Sequence, residues 1–243
     1  DRISRLIAGT VKIIGMLKSE SDINELVVAV LGDMMSGWIH DELQVANEVT
    51  PMEAILEVIN MMTGLLDNLL DAGIVKRITV VACVGNHARI TAKTFYKKRV
   101  ATSYEWMIYN MLMQHYAAKG ETRIKFQIPT GYFNWMRICG RDIRCHHGDN
   151  MRYNGGIGGI HIPVKKAIAQ WNKGRHADLD LFGHWHTLEW AQDYVINGSL
   201  IGYNAFGEML KVDYQPAAQA LFLMHARFGK TAQYPIVVQD DVR

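Results

Sequence analysis

The hydrophobic pattern divides the chain into two regimes. In the first half, helical spacing alternates with short, fully apolar runs. "RISRLIAGTVKIIGML" places Ile3, Leu6, Ile7, Val11, Ile14 and Leu17 at helical intervals. "ELVVAVLGD" follows as a buried strand closed by a tight turn. "TPMEAILEVINMMTGLLDNLLDAG" carries helix punctuation at both ends: Thr50 as cap, Pro51 in the first turn, Glu53 to complete a capping box, and Gly73 as stop. "RITVVACVGNH" repeats the strand-and-turn pattern, and the spacing predicts a helix over 95–118, stopped near Gly120. The second half is strand-rich. Strands are expected at 124–128, 134–139 and 142–147, then in "DLDLFGH", "TLEWAQ", "YVINGSL" and "ALFLMHA", with a short helix at 163–173 ended by Gly174.

Early helix–strand alternation argues for a parallel sheet, and the later run of strands argues for further, partly antiparallel sheet. The expected fold is therefore α/β: a two-sheet β-sandwich core flanked by helices. The length, 243 residues, favours one domain over two small ones, and no repeat or linker marks a boundary. Apolar residues make up 49% and charged residues 21%, so a packed core is affordable. A net charge of +2 is too small to argue for nucleic acid unless the cations cluster. Cys83, Cys139 and Cys145 lie in apolar stretches without regular spacing and read as buried free thiols in a reducing cytoplasm, that of a bacterium or a phage-infected host cell. No apolar run is long enough to span a membrane.

Candidate chemistry gathers at four strand ends. "VLGD" ends in Asp33; "CVGNH" ends in Asn86 and His87; "IRCHHGD" carries His146, His147 and Asp149; "LFGHWH" ends in His184 and His186. In α/β sheets ligands bind beyond the carboxyl ends of strands. The donors are carboxylate, amide oxygen and imidazole, with no thiolate in the motifs. That set suits manganese, iron or zinc in a hydrolytic site. A carboxylate such as Asp33 can bridge two cations, and a pair roughly 3.5–4 Å apart can clamp an in-line phosphoryl displacement. Strand alternation would point His184 and His186 the same way, with Trp185 opposite; a turn between them would let each serve a different cation.

The motifs "GD" at 32–33, "GNH" at 85–87, "HG" at 147–148 and "GHWH" at 183–186, in that order, resemble the calcineurin-like metallophosphoesterase superfamily. The resemblance implies a four-layer αββα fold and a dinuclear centre of divalent cations, manganese foremost, with iron, zinc or magnesium as alternatives. It implies that Asp33 bridges both cations, that Asn86, a histidine of the 146–147 pair and His184 bind the second, and that His186 binds the first. His87 would donate a proton to the leaving-group oxygen. His147 is preferred over His146 because it stands directly before Gly148 and shares a strand face with Ile143 and Cys145. The chain departs from the family in two places. It contains no Asp-x-His, which is expected in a strand upstream of Asp1, and Ser36 stands where the family often has a carboxylate or amide.

"HARITAKTFYKKRVATSYEW" interleaves Arg89, Lys93, Lys97, Lys98 and Arg99 with Phe95 and Tyr96, a mixture that suits phosphate backbones and stacked bases as well as a solvated helix face. "NMRYNGGIGGIH" adds Arg152 and Tyr153 beside a glycine-rich loop whose amides could hold a phosphate oxygen. These stretches, with "INGSLIGYNAFG", resemble phage-encoded metallophosphoesterases and the nuclease subunits of double-strand-break repair complexes. The expected function is metal-dependent hydrolysis of DNA, single-stranded or at ends, with Arg89, Arg152, Lys97 and Lys98 contacting substrate. A phosphatase or phosphodiesterase acting on nucleotides or phosphoproteins is one alternative. A catalytically silent scaffold or nucleic-acid-binding module of the same fold is another. Among the remaining histidines, His161 stands out because it closes the glycine-rich loop.

Overall fold

The apolar run "RITVVA" forms the centre of a three-stranded parallel sheet. The computed structural model describes residues 1–153, 159–203, 208–209 and 213–240. The chain divides into two compact units, Ile3–Asn134 and Trp135–Arg243.

In the first unit, strand β1 (Glu25–Val30) pairs with β2 (Arg77–Ala82), and β2 pairs with β3 (Ile124–Gln127), all parallel. Helix α1 (Arg2–Leu17) precedes β1; α2 (Asp41–Ala46) and α3 (Pro51–Asp71) link β1 to β2; α4 (Tyr104–Ala118) links β2 to β3. This is the crossover that parallel pairing requires. Ile78, Val80, Val81 and Ala82 of β2 are buried, as a central parallel strand covered on both faces demands. Helix α3 starts where the sequence says it should. The Thr50 hydroxyl accepts the Glu53 N–H and the Glu53 carboxylate accepts the Thr50 N–H, a reciprocal capping box that also draws the Glu53 carboxyl below its ordinary range.

Helix α4 departs from expectation. It begins at Tyr104 behind a Ser103 cap and a short 3-10 turn (Val100–Thr102), not at residue 95. Lys98 adopts a φ of 57°, which no helix accommodates. The basic and aromatic residues 93–98 therefore form an exposed loop rather than a helix face.

The second unit holds a five-stranded sheet in the order β4-β5-β6-β8-β7 and a hairpin, β9 with β10. Its members are β4 (Asn134–Ile138), β5 (Arg141–Cys145), β6 (Leu179–Phe182), β7 (Glu189–Trp190), β8 (Tyr194–Ile196), β9 (Ala218–His225) and β10 (Gly229–Val237), with helix α5 (His161–Trp171) between β5 and β6. Strands β5, β6 and β8 run parallel, and β7 pairs antiparallel to β8. Cys139 and Gly140 both have positive φ, 51° and 79°, as the two central residues of a type I′ hairpin turn between β4 and β5 require. Cys139 is consequently exposed, unlike the buried Cys83 and Cys145.

Within this sheet lies a charged pair that the sequence did not announce. Arg144 and Asp180 are register partners, each about 1% exposed, joined by bonds of 2.6 and 2.9 Å. Trp135 and Trp171 cover the guanidinium. Such a pair is kept only when its hydrogen bonds are satisfied, and Asn172 supplies a further acceptor at 3.0 Å.

The expected class holds: the chain is mixed α/β, with several sheets and flanking helices. Among the described residues no helix is long and apolar enough to cross a membrane.

Candidate metal centre

In the first unit, the in-register pairing of Val30 with Ala82 sets the carboxyl ends of β1 and β2 side by side. The Cys83 N–H extends the ladder by donating to the Val30 carbonyl at 2.7 Å. Beyond that point both strands turn. Asp33 sits at a φ of 55°, a left-handed conformation that costs an ordinary L-residue roughly 1–2 kcal/mol and Asp or Asn somewhat less. Its Oδ1 accepts the His87 N–H at 2.9 Å, so the second turn is tied to the first through the very carboxylate proposed as ligand. Gly85 permits this. A Cβ there would stand 2.0 Å from Asp33 Oδ1 and 2.2 Å from its backbone nitrogen. The glycine serves close approach, not a positive φ. Asn86 and His87 are half-buried. The Arg89 guanidinium binds the carbonyls of Asn86, Thr91 and Ala92 and so shapes its own loop.

In the second unit, β5 and β6 end in the same manner. The His146 N–H donates to the Leu181 carbonyl at 3.0 Å, and the Gly183 N–H to the His147 carbonyl at 3.0 Å. His147 Nε2 and His184 Nδ1 lie 3.2 Å apart. Two nitrogens bound to one cation at about 2.1 Å each, with an angle near 90–110°, are separated by about 3.0–3.4 Å. The observed spacing thus suits two ligands of one ion as well as a histidine–histidine hydrogen bond. Strand β6 stops at Phe182, so alternation does not govern the histidines after it. His184 and His186 both take left-handed φ values, 71° and 54°, and the chain turns between them. Trp185 anchors that turn: it is 5% exposed and packs with Met151, Phe182, Tyr194 and Ile196. Gly148, with φ 110°, lets the strand end pass Phe182 and the Trp185 indole closely.

Six described residues other than glycine have positive φ, and three of them are Asp33, His184 and His186. Backbone strain of this kind collects where a side chain must be aimed for function.

The choice between His146 and His147 has a physical basis. His146 is fully buried, stacked on Phe182 at 4.9 Å and edge-on to Trp171. Burial lowers its pKa despite the Asp180 carboxylate at 3.4 Å, which leaves it a neutral aromatic wedge. His147 turns the other way, toward His184.

Of the expected substrate contacts, Lys97, Lys98 and Arg152 are exposed, as are Phe95 and Tyr96. Arg99 reaches back to the Gly85 carbonyl at 3.5 Å and covers Tyr132. Most of the glycine-rich loop, residues 154–158, lies outside the described residues, as do 204–207 of "INGSLIGYNAFG". His161 opens helix α5 and binds Glu189 at 2.8 Å and the Tyr194 hydroxyl, a contact within the second unit's own framework.

The structure therefore brings Asp33 together with His87 in one unit, and His147 together with His184 in the other. Asp33, His147 and His184 qualify as candidate metal ligands among the described residues. Sequence reasoning passed over Glu105, because a helix begun at residue 95 makes it an interior position. Its carboxylate accepts the Met34 and Gly85 N–H groups, and the signal that could have found it is Ser103, a cap residue two positions earlier.

No protein-family model matches the chain, and no curated protein matches it. Among solved structures, it is similar to wild-type Vps29 of Entamoeba histolytica complexed with zinc, at 15% identity, covering 87% of this chain and 98% of that one, with a TM-score of 0.36. A single-mutant form of the same protein gives 14% identity, the same coverage and a TM-score of 0.36. Vacuolar Protein Sorting 29 of Cryptosporidium parvum gives 13% identity, covers 88% of this chain and 100% of that one, and has a TM-score of 0.35. Likenesses at this level carry no argument about metal, activity or partner.

Proposed function

We propose that this chain is a metal-dependent phosphodiester hydrolase acting on DNA. The observation that carries the metal part is the strained turn bearing His184 and His186, with His147 Nε2 and His184 Nδ1 held 3.2 Å apart. In this reading Asp33, Asn86, His147, His184 and His186 would hold two divalent cations. The donor set of one carboxylate, one amide oxygen and three imidazoles fits manganese, iron or zinc. Bound cations would supply positive charge to the reacting phosphoryl group.

The chain's own residues do the rest. Asp33 fixes the His87 backbone by accepting its N–H at 2.9 Å. His87 donates a proton to the departing oxygen, the step a positioned imidazole performs well near neutral pH. Arg152, Lys97 and Lys98 engage phosphates. Arg89, with three bonds to the carbonyls of Asn86, Thr91 and Ala92, orders its own loop.

The DNA part rests on the exposed loop 93–98. Tyr96 is 97% exposed and Phe95 51%, between Lys93 and the Lys97–Lys98 pair. Free aromatic faces among cations suit unpaired bases on a phosphate backbone. Single-stranded DNA is expected to be cut in the presence of manganese. In the Lys97→Ala/Lys98→Ala variant, the slope of log affinity against log salt, read by fluorescence anisotropy, should flatten by about 1.4, the value for two lost single-strand phosphate contacts. Turnover of a small phosphodiester without cleavage or binding of DNA contradicts the DNA assignment and favours a small-phosphoester substrate. An unchanged salt slope removes the two lysines from the interface.

A further inference from the structure

Glu105 is fully buried, yet it is a carboxylate. Its two oxygens divide between two loops: Oε1 accepts the Met34 N–H and Oε2 the Gly85 N–H, each at 2.6 Å. Met34 follows Asp33 directly, and Gly85 directly precedes Asn86. Each anchored amide is thus one residue from a proposed ligand.

We propose that Glu105 is a positioning residue, whose carboxylate locks the Asp33 turn and the Asn86–His87 turn into the mutual register that cation binding needs. The inference rests on the metal-centre reading above. Desolvating a carboxylate opposes folding, so holding two loops together is a poor reason for an acid unless both of its oxygens are used. Here both are used. The first turn of helix α4, behind the Ser103 cap, tolerates the negative charge. The two turns are also coupled directly, since Asp33 accepts the His87 N–H and Gly85 lies against the Asp33 carboxylate. Glu105, from helix α4, adds a further tie between the same two turns. An amide in its place could accept at one oxygen only and would present an NH2 group to the other loop's donor.

The experiment compares the wild-type chain with Glu105→Gln, Glu105→Asp and a control, Leu112→Ala, which opens a cavity beneath the same helix about two turns from Glu105. Manganese affinity is measured by electron paramagnetic resonance, and protection of the Met34 and Gly85 amides by hydrogen exchange. Glu105→Gln should lose protection at one of the two amides and bind manganese about 10–100-fold more weakly, as loss of an outer partner does at metal sites. Glu105→Asp, too short to span both loops, should fall between it and wild type and serves if the Gln variant does not fold. Leu112→Ala should unfold more easily but keep wild-type affinity. Wild-type affinity in both Glu105 variants, or an equal loss in Leu112→Ala, overturns the positioning role alone. A wild-type chain that binds no manganese overturns the metal centre and the positioning role together.

Discussion

Asp33→Asn is expected to strip the protein of bound metal while leaving it folded. Asparagine is the informative substitution because the position is left-handed, and Asn tolerates that conformation as Asp does. Its amide oxygen can still accept the His87 N–H, so the turn is kept. What it loses is the negative charge and the second anionic oxygen with which a carboxylate bridges two cations. Loss of a supporting residue around a metal already costs about 10–100-fold in affinity, so removal of a shared ligand should exceed about 100-fold. Elemental analysis after dialysis should find manganese in wild type and next to none in the variant, with the unfolding midpoints of the two metal-free proteins nearly equal. Equal metal content in the two proteins would dispose of the bridging role.

His87→Ala should do the opposite: retain metal and lose turnover. The side chain binds no cation in this account. It delivers a proton, and positioned acid–base groups contribute about 10²–10⁴-fold to rate. The loss should therefore be deep on a DNA phosphodiester, whose alkoxide leaving group needs protonation. It should be shallow on a substrate with a nitrophenolate leaving group, which departs unaided. The contrast between substrates identifies the proton donor, since a merely misfolded turn would slow both alike. If the variant cuts DNA at the wild-type rate, the departing oxygen is protonated by something else.

Much of the frame was legible because it obeys short-range rules. Apolar runs with a glycine just past the carboxyl end marked β1 and β2, and the Thr50–Glu53 box fixed the start of α3 to the residue. The departures have equally local causes. The helix expected from residue 95 begins at Tyr104 because Lys98 is left-handed and Ser103 caps, while the aromatic spacing upstream only mimics a helix. Alternation carried past Phe182 put His184 and His186 on one face, but the backbone leaves strand geometry at Gly183 and Trp185 is drawn into the core. The Arg144–Asp180 pair was invisible because the two residues are far apart in sequence and only the β5–β6 register joins them. Glu105 was missed for a similar reason. Its partners, Met34 and Gly85, are backbone groups far away in sequence, and no residue type announces a backbone donor. The site residues themselves stood out by chemistry: carboxylate, amide and imidazole after glycine-marked strand ends.

The most direct test of the account is anomalous diffraction at the manganese edge from crystals of the chain grown with the ion. The account predicts a peak about 2.0–2.2 Å from donor atoms of Asp33, His147 and His184, with any second peak roughly 3.5–4 Å away. Manganese found on other residues, or Asp33 and the two histidines each out of reach of a common ion, would contradict it.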